Sequence, residues 1–321
     1  MSIIEKAIQK LNADGVSGKG DDLDAKAASV PEKSQTPISG KSNSNAPAHD
    51  SVDAAVAAQS GGSVKTKHYM ELPLEKLSSM GMVTPDQPRS GIAEENRIIK
   101  RPLLMNIADQ GATSVNNPNL IMVTSAQPGE GKTFTAINLA ISIAMEQDKT
   151  VLLVDADVAK ASAAAMLGIP DDVPGLIDLL MEKGTQISDV LLHTNIPNLR
   201  ILPAGHPHER STELLASSGM QRLMEELAQR YPDRVIIFDS PPLLFTTEAG
   251  VLASLMGQIV FVVAEKQTPQ SKVTEALSRL GEDKIIGLIL NKSKSQGKGA
   301  YGYSYGYGYG YGRERTGNSG G

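Results

Sequence analysis

The chain has 321 residues, 40% of them hydrophobic, with a formal net charge of −5 and no cysteine. That length accommodates one α/β domain with segments to spare, and the acidic balance gives no electrostatic footprint for nucleic acid. The missing cysteine excludes disulfides, thiolate metal sites and cysteine nucleophiles, and fits a reducing cytoplasm.

Residues 1–11 carry the pattern of a short amphipathic helix, with Ile4, Ile8 and Leu11 on one face. This start lacks the apolar core of a signal peptide. Residues 12–66 are rich in Ser, Asp, Lys, Ala, Gly and Pro and contain no aromatic residue. Such a segment buries too little apolar surface to offset its ordering entropy, so a disordered linker is predicted. Residues 67–90, with His68-Tyr-Met-Glu-Leu-Pro-Leu74, read as an arm that docks on the main domain.

Residues 91–291 have a globular pattern. A helix is predicted over Ile92–Met105, charged at first and aliphatic later. Strands are predicted at Leu120–Thr124, Val151–Asp155, Leu199–Leu202, Val235–Asp239, Ile259–Val263 and Ile285–Leu290. They are rich in Ile, Val and Leu and lack polar alternation, as suits a parallel sheet covered on both faces. Helices are predicted at about 132–146, 175–183, 212–229, 248–256 and 270–281, the last with Thr268 as N-cap and Pro269 in its first turn. The fold class is α/β: a doubly wound, mostly parallel sheet of the P-loop type, with ligand chemistry at the carboxyl ends of its strands. No stretch reaches the roughly 18 consecutive apolar residues of a membrane span, so membrane recruitment is expected to come through a partner.

The first strand leads into Ser125-Ala-Gln127-Pro128-Gly129-Glu130-Gly131-Lys132-Thr133-Phe134 and then into a helix. This is the strand–loop–helix setting of a Walker A motif, with Ala126 in place of the first glycine. Small residues let consecutive backbone N–H groups curl around a phosphate, and the helix N-terminus adds partial positive charge. Lys132 is expected to reach the β- and γ-phosphates of ATP, and the Thr133 hydroxyl to bind Mg²⁺. Two further strands end in Asp155-Ala-Asp157 and Asp239-Ser-Pro-Pro. Beside a phosphate loop such aspartates can hold Mg²⁺ directly or through water. One or two suffice for the metal, which leaves a carboxylate to accept a proton.

The tail holds Tyr301, Tyr303, Tyr305, Tyr307, Tyr309 and Tyr311, each flanked by Gly or Ser, out of eight tyrosines in the whole chain. A core does not use tyrosine in this way; residues 292–321 are expected to be flexible and to offer phenol hydroxyls as phosphoacceptors. A segment of about 20 such residues spans roughly 25 Å, enough to reach a neighbouring protomer. Lys292, Lys294, Lys298, Arg313 and Arg315 face only Glu314 there. Each phosphotyrosine adds about −1.5 to −2 charge, so full modification would reverse the tail's sign.

Walker A, Val154-Asp155-Ala-Asp157, Asp239-Ser-Pro-Pro and the tyrosine cluster, in this order, resemble the bacterial protein-tyrosine kinases of polysaccharide synthesis (BY-kinases) over about residues 91–312. The phrase Glu94-Glu-Asn-Arg-Ile-Ile-Lys-Arg-Pro-Leu-Leu104 is similar to the cytoplasmic autokinases of exosortase-linked exopolysaccharide systems. The resemblance implies that Gly129, Gly131 and Lys132 hold phosphate, and that Thr133, Asp157 and Asp239 organise Mg²⁺. It also implies that Asp155 takes the tyrosine proton, with Asp155 and Asp157 able to exchange roles, and that Asn291 contacts adenine. Glu94, Arg97 and Lys100, aligned on one helix face, would correspond to the helix with which the family assembles rings. Lys160 stands where related chains carry Arg, giving a point charge instead of a fork. Partners implied are a membrane-anchored activator of the polysaccharide chain-length-determinant type, further copies of the chain, and a protein-tyrosine phosphatase. The expected location is the cytoplasm, at the inner face of the plasma membrane. The alternative activity is a nucleotide-driven assembly ATPase of the same fold. Gln127 sits where partitioning and division-site ATPases carry a cross-dimer lysine, so that contact is not expected.

Overall fold

The computed structural model describes residues 68–293 apart from 109–110, 112–114, 183, 231–233 and 282. The expectations for residues 1–66 and for Tyr301 to Tyr311 lie outside the described residues.

Among the described residues one sheet has eight strands: β1 (Tyr69–Met70), β2 (Leu120–Ser125), β3 (Thr150–Asp155), β4 (Leu192–Thr194), β5 (Leu199–Leu202), β6 (Arg234–Asp239), β7 (Gln258–Ala264) and β8 (Ile285–Asn291). Their order is β1-β4-β5-β3-β6-β2-β7-β8, and every pairing is parallel except β4 with β5. Strands β2, β3 and β6 are almost wholly buried, so both pleat faces are apolar. Ile121 and Val123 point into one core layer, and Leu120 and Met122 into the other. That double burial is why these segments read as continuous apolar runs.

The first layer is covered by α2 (Gly91–Ile107) and α3 (Lys132–Ala144), and the second by α8 (Ser218–Arg230), α9 (Glu248–Leu255) and α10 (Gln270–Leu277). Shorter helices are α1 (Leu74–Ser79), α4 (Ser162–Leu167), α5 (Leu176–Met181), α6 (Ile187–Val190) and α7 (Ser211–Leu215). Helix α3 buries twelve of its thirteen residues, Phe134 alone staying partly exposed. It therefore lacks a polar face, as a helix wedged between sheet and α2 must.

The predicted strands recur with shifts of a residue or so at their ends, but β1 and β4 escaped the sequence reading because two- and three-residue pairings carry no period. Two expectations are corrected. The helix predicted over 212–229 is broken into α7 and α8, because the Ser217 hydroxyl accepts the Met220 N–H (3.2 Å) and so caps a new helix. Thr268 does not cap α10; its hydroxyl turns to Glu130, and Pro269 occupies the N-cap position. Residues 68–90 share the main core: Leu72, Leu77, Met82 and Val83 are buried. Asn138 in α3 accepts the Val83 N–H (2.6 Å), and Asn195 accepts the Leu72 N–H (3.0 Å).

Candidate active site at the carboxyl ends of the central strands

Parallel register builds the site. Asp155 at the end of β3 lies opposite Asp239 at the end of β6, and Val123 of β2 lies on the other side of Asp239. Strand β2 then runs two residues further into the phosphate loop, so the loop and both carboxylates share one edge of the sheet.

The loop turns through Gly129 (φ 81°) and Gly131 (φ 101°), backbone that non-glycine residues rarely adopt. Its shape is held from several directions. The Ser125 hydroxyl donates to the Gln127 carbonyl (2.8 Å). Glu130 folds back so that its Oε2 accepts the Gln127 N–H (2.6 Å), while the Thr268 hydroxyl, from the segment before α10, donates to its Oε1. Asn291, at the end of β8, donates from Nδ2 to the Glu130 carbonyl (2.9 Å), and Lys292 Nζ donates to the Gly129 carbonyl (2.7 Å). Leu243 and Leu244, just past Pro242, donate their N–H groups to the Ser125 and Ala126 carbonyls (2.8 and 3.4 Å). Pro128 and Gln127 lie at the outer lip, and Phe134 packs its ring against the core.

The chemistry faces this loop. Lys132 and Thr133 open α3 and are buried. Lys132 Nζ pairs with Asp157 Oδ2, and the Asp157 N–H donates to Asp155 Oδ1 (3.2 Å). Asp155 Oδ2 and both carboxyl oxygens of Asp239 are buried without a hydrogen-bond partner. Burial, then the negative charges of Asp239 and Asp157, push Asp155 well above the ordinary carboxylate range; the Asp157 N–H and Lys132 act against this. Burial pushes Asp239 up to about 6, although Lys132 and, more weakly, the Thr133 hydroxyl pull it down; Asp157 adds to the rise. The Thr133 hydroxyl is thus a favourable neighbour of Asp239 without sitting in hydrogen-bond geometry. The site is short of positive charge.

A divalent cation would answer that deficit. Mg²⁺ takes one or two carboxylates and completes its shell with phosphate oxygens and water. The orphaned oxygens of Asp239 beside Thr133 fit that donor set. Among the described residues no three acidic, His or Cys side chains converge into a ready-made cage, so phosphate would have to supply the remaining ligands.

Every predicted loop and carboxylate position, Gln127 to Phe134, Asp155, Asp157, Asp239 and Asn291, lies at or beside this edge. Lys160 follows on an exposed turn, its N–H bonded to the Asp157 carbonyl (2.9 Å). Asn291 clamps the loop backbone through its bond to the Glu130 carbonyl. Glu94, Arg97 and Lys100 are elsewhere and do not form one exposed row. Glu94 and Arg97 make an exposed ion pair. Lys100 is buried, donating to the Ser142 carbonyl (2.6 Å) and pairing with Glu146 (2.5 Å) at the far end of α3. The Glu130–Thr268 latch and the Lys292 contact were not foreseen; their partners are 138 and 163 residues apart, and no local pattern links them.

A glycine-turned loop between a central parallel strand and a buried helix, with lysine and threonine opening that helix and aspartates ending β6 beside it and β3 beyond, defines the P-loop NTPase fold. The AAA domain family matches residues 119–277. The tyrosine-protein kinase YwqD of Bacillus subtilis is 32% identical over 212 residues, covering 65% of this chain and 85% of that protein. The succinoglycan biosynthesis transport protein ExoP of Rhizobium meliloti is 32% identical over 227 residues, which cover 69% of this chain and 27% of ExoP. Among solved structures, the kinase domain of the Escherichia coli tyrosine kinase ETK superposes with a TM-score of 0.57 at 25% identity, covering 74% of this chain and 94% of that domain. The chain belongs to the bacterial tyrosine-protein kinase family, and the enzyme is a protein-tyrosine kinase.

Proposed function

We propose that this kinase phosphorylates its own C-terminal tyrosines from ATP and Mg²⁺, and that it does so between copies as a control on exopolysaccharide synthesis or export. The observation that carries the reading is the set of buried, unpartnered carboxylate oxygens on Asp155 and Asp239 facing Lys132 and Thr133.

The backbone N–H groups of Gly129, Glu130, Gly131 and Lys132 are presented to the nucleotide's phosphates, and the Lys132 ammonium neutralises the β- and γ-phosphates. Thr133, Asp239 and Asp157 would hold Mg²⁺, which supplies further charge neutralisation. A tyrosine oxygen attacks the γ-phosphorus in line with the bond to ADP. That phosphorus–oxygen bond breaks, ADP leaves, and the phenolic proton passes to Asp155 Oδ2. A carboxylate whose proton affinity is raised by burial is suited to accept it. The acceptors are Tyr301, Tyr303, Tyr305, Tyr307, Tyr309 and Tyr311 of a neighbouring copy, with Glu94 and Arg97 available for contact between copies. The ExoP relative, named for succinoglycan biosynthesis transport, supports a polysaccharide setting and a membrane-anchored partner as activator. Among the described residues no helix is long and apolar enough to cross a membrane, and recruitment through that partner would place the kinase at the inner face of the plasma membrane. A tyrosine phosphatase would reset the tail.

The test is incubation of purified chain with γ-labelled ATP and Mg²⁺, with and without the cytoplasmic peptide of such a membrane protein. Label is expected on tyrosine, and Lys132→Met is expected to lose it. Release of all label as inorganic phosphate would favour the assembly-ATPase reading, and phosphotyrosine in the purified Lys132→Met protein would overturn self-phosphorylation.

A further inference from the structure

Strand β8 stands apart from the rest of the sheet. It is the last strand in the order, and among the described residues it is hydrogen-bonded only to β7, which leaves its other edge open among them. It runs for seven residues, Ile-Ile-Gly-Leu-Ile-Leu-Asn, none of them charged. Where the central strands are almost wholly buried, β8 leaves Leu288 and Leu290 exposed at 38% and 49%. These two share a face with Ile286, which packs into the second core layer, while Ile289 on the opposite face packs into the first. A long, apolar, uncharged edge is a template for another strand, and folded proteins normally blunt or cover one.

The sequence itself carries a segment of matching period. Tyr301 to Tyr311 alternates tyrosine with glycine or serine without a break. In an extended conformation that period of two places every phenol on one face and leaves the other face nearly bare. Tyrosine is a strong strand former, and aromatic–aliphatic pairs are among the favourable cross-strand contacts. The chain leaves β8 through Lys292, whose backbone is left-handed (φ 57°), so the direction of the strand breaks there. Ten residues, 291–300, then separate Leu290 from Tyr301. A tether this short gives the tail an effective concentration at the β8 edge that no second copy in dilute solution matches.

We infer that the unphosphorylated tail docks on the open edge of β8 as an antiparallel ninth strand, with its phenols over Leu288 and Leu290. Pairing Leu290 with Tyr301 sets Leu288 opposite Tyr303 and Ile286 opposite Tyr305. Strand β8 is used up at about Tyr307, so Tyr309 and Tyr311 project past it. The bare glycine face turns toward the first layer, where Ile289 packs. The arrangement shields the first tyrosines and leaves the last ones for a neighbour's active site. A phosphate on Tyr301, Tyr303 or Tyr305 would set about −1.5 to −2 charge over leucine side chains, so modification and docking exclude each other. This consequence for phosphorylation order rests on the tail being the acceptor; the docking itself does not.

The absence of native cysteine permits a direct test in the full-length, nucleotide-free chain. Leu288→Cys with Tyr303→Cys should form an intramolecular disulfide at least tenfold faster than Leu288→Cys with Tyr311→Cys. Equal rates would show a tail with no register on β8 and overturn the inference. Disulfide-linked dimers from the first pair would assign the edge to a second copy and overturn it equally. Amide exchange of residues 285–291 in the unmodified chain gives a second reading. Leu288→Thr with Leu290→Thr should speed that exchange at least threefold if the tail covers the strand, and unchanged, fast exchange in both proteins would overturn the docking. Neither measurement needs kinase activity, so failure here is separable from failure of the radiolabel test. If both readings hold, Tyr309 and Tyr311 acquire phosphate before Tyr301 and Tyr303 in a mass-spectrometric time course.

Discussion

At the scale of single residues, the buried carboxylates decide how the site responds to protons. Asp239 has a folded pKa of about 6, above its unfolded value of 3.8. The folded chain therefore binds more protons than the unfolded chain between those values, and stability falls as pH rises through that window. The nucleotide-free protein should melt higher at pH 5.5 than at pH 7.5, as calorimetry would show. Metal competes with that proton, so Mg–ATP affinity measured by titration should weaken as pH falls from 7.5 to 5.5. Asp239→Asn removes the unpaired charge at nearly constant shape. It should raise the melting temperature of the nucleotide-free protein at pH 7.5, by an amount corresponding to on the order of 3 kcal/mol. The same variant should abolish the additional stabilisation by Mg–ATP. An unchanged Mg–ATP shift would remove Asp239 from the metal site. These aspartates were legible in the sequence because an acidic residue closing an apolar run places itself at a strand end. The unpartnered state of their oxygens was not legible, since it depends on which donors the rest of the fold leaves out of reach.

At the scale of elements, the phosphate loop is a cradle braced by distant strands. A Cβ on Gly131 would lie 2.0 Å from Asn291 Nδ2, and the φ of 101° is itself unfavourable for alanine. Gly131→Ala should weaken nucleotide binding about tenfold or more, the equivalent of a strain of about 1–2 kcal/mol. Adding Asn291→Ala should recover the collision part of that loss but not the backbone part, and equilibrium binding of a fluorescent nucleotide separates the two. Thr268→Val removes the donor to Glu130 and should raise the nucleotide dissociation constant about 5- to 10-fold through a loss of about 1 kcal/mol, with the melting temperature little changed. Lys100 staples α2 to the end of α3. Lys100→Met should destabilise the fold by about 1–3 kcal/mol, lowering the melting temperature by several degrees, while nucleotide affinity stays the same. The Walker A spacing revealed the cradle from sequence alone. Its braces were hidden because Asn291 and Glu130 meet only when β8 and β2 are brought to the same edge through β7.

At the scale of the whole molecule, the sheet sets a gradient of order from centre to edge. Strands β3, β6, β2 and β7 are paired on both sides and buried, whereas among the described residues β1 and β8 have one neighbour each. Amide exchange should be slowest in the central four and fastest in β1; an equally fast β6 would contradict this packing. Composition and period alone determined the α/β class, the parallel centre of the sheet, the phosphate loop and the placing of Asp155 and Asp239 at strand ends, with Asp157 two residues past the first, because each is written in contiguous residues and short spacings. Only the tertiary structure decided that Lys100 faces inward, that Thr268 serves the loop instead of capping a helix, and that β8 is the last strand in the sheet order among the described residues. Those outcomes depend on strand order and on contacts between residues far apart in the chain, and a parallel sheet joined by long crossovers makes its neighbours from segments that never adjoin in sequence.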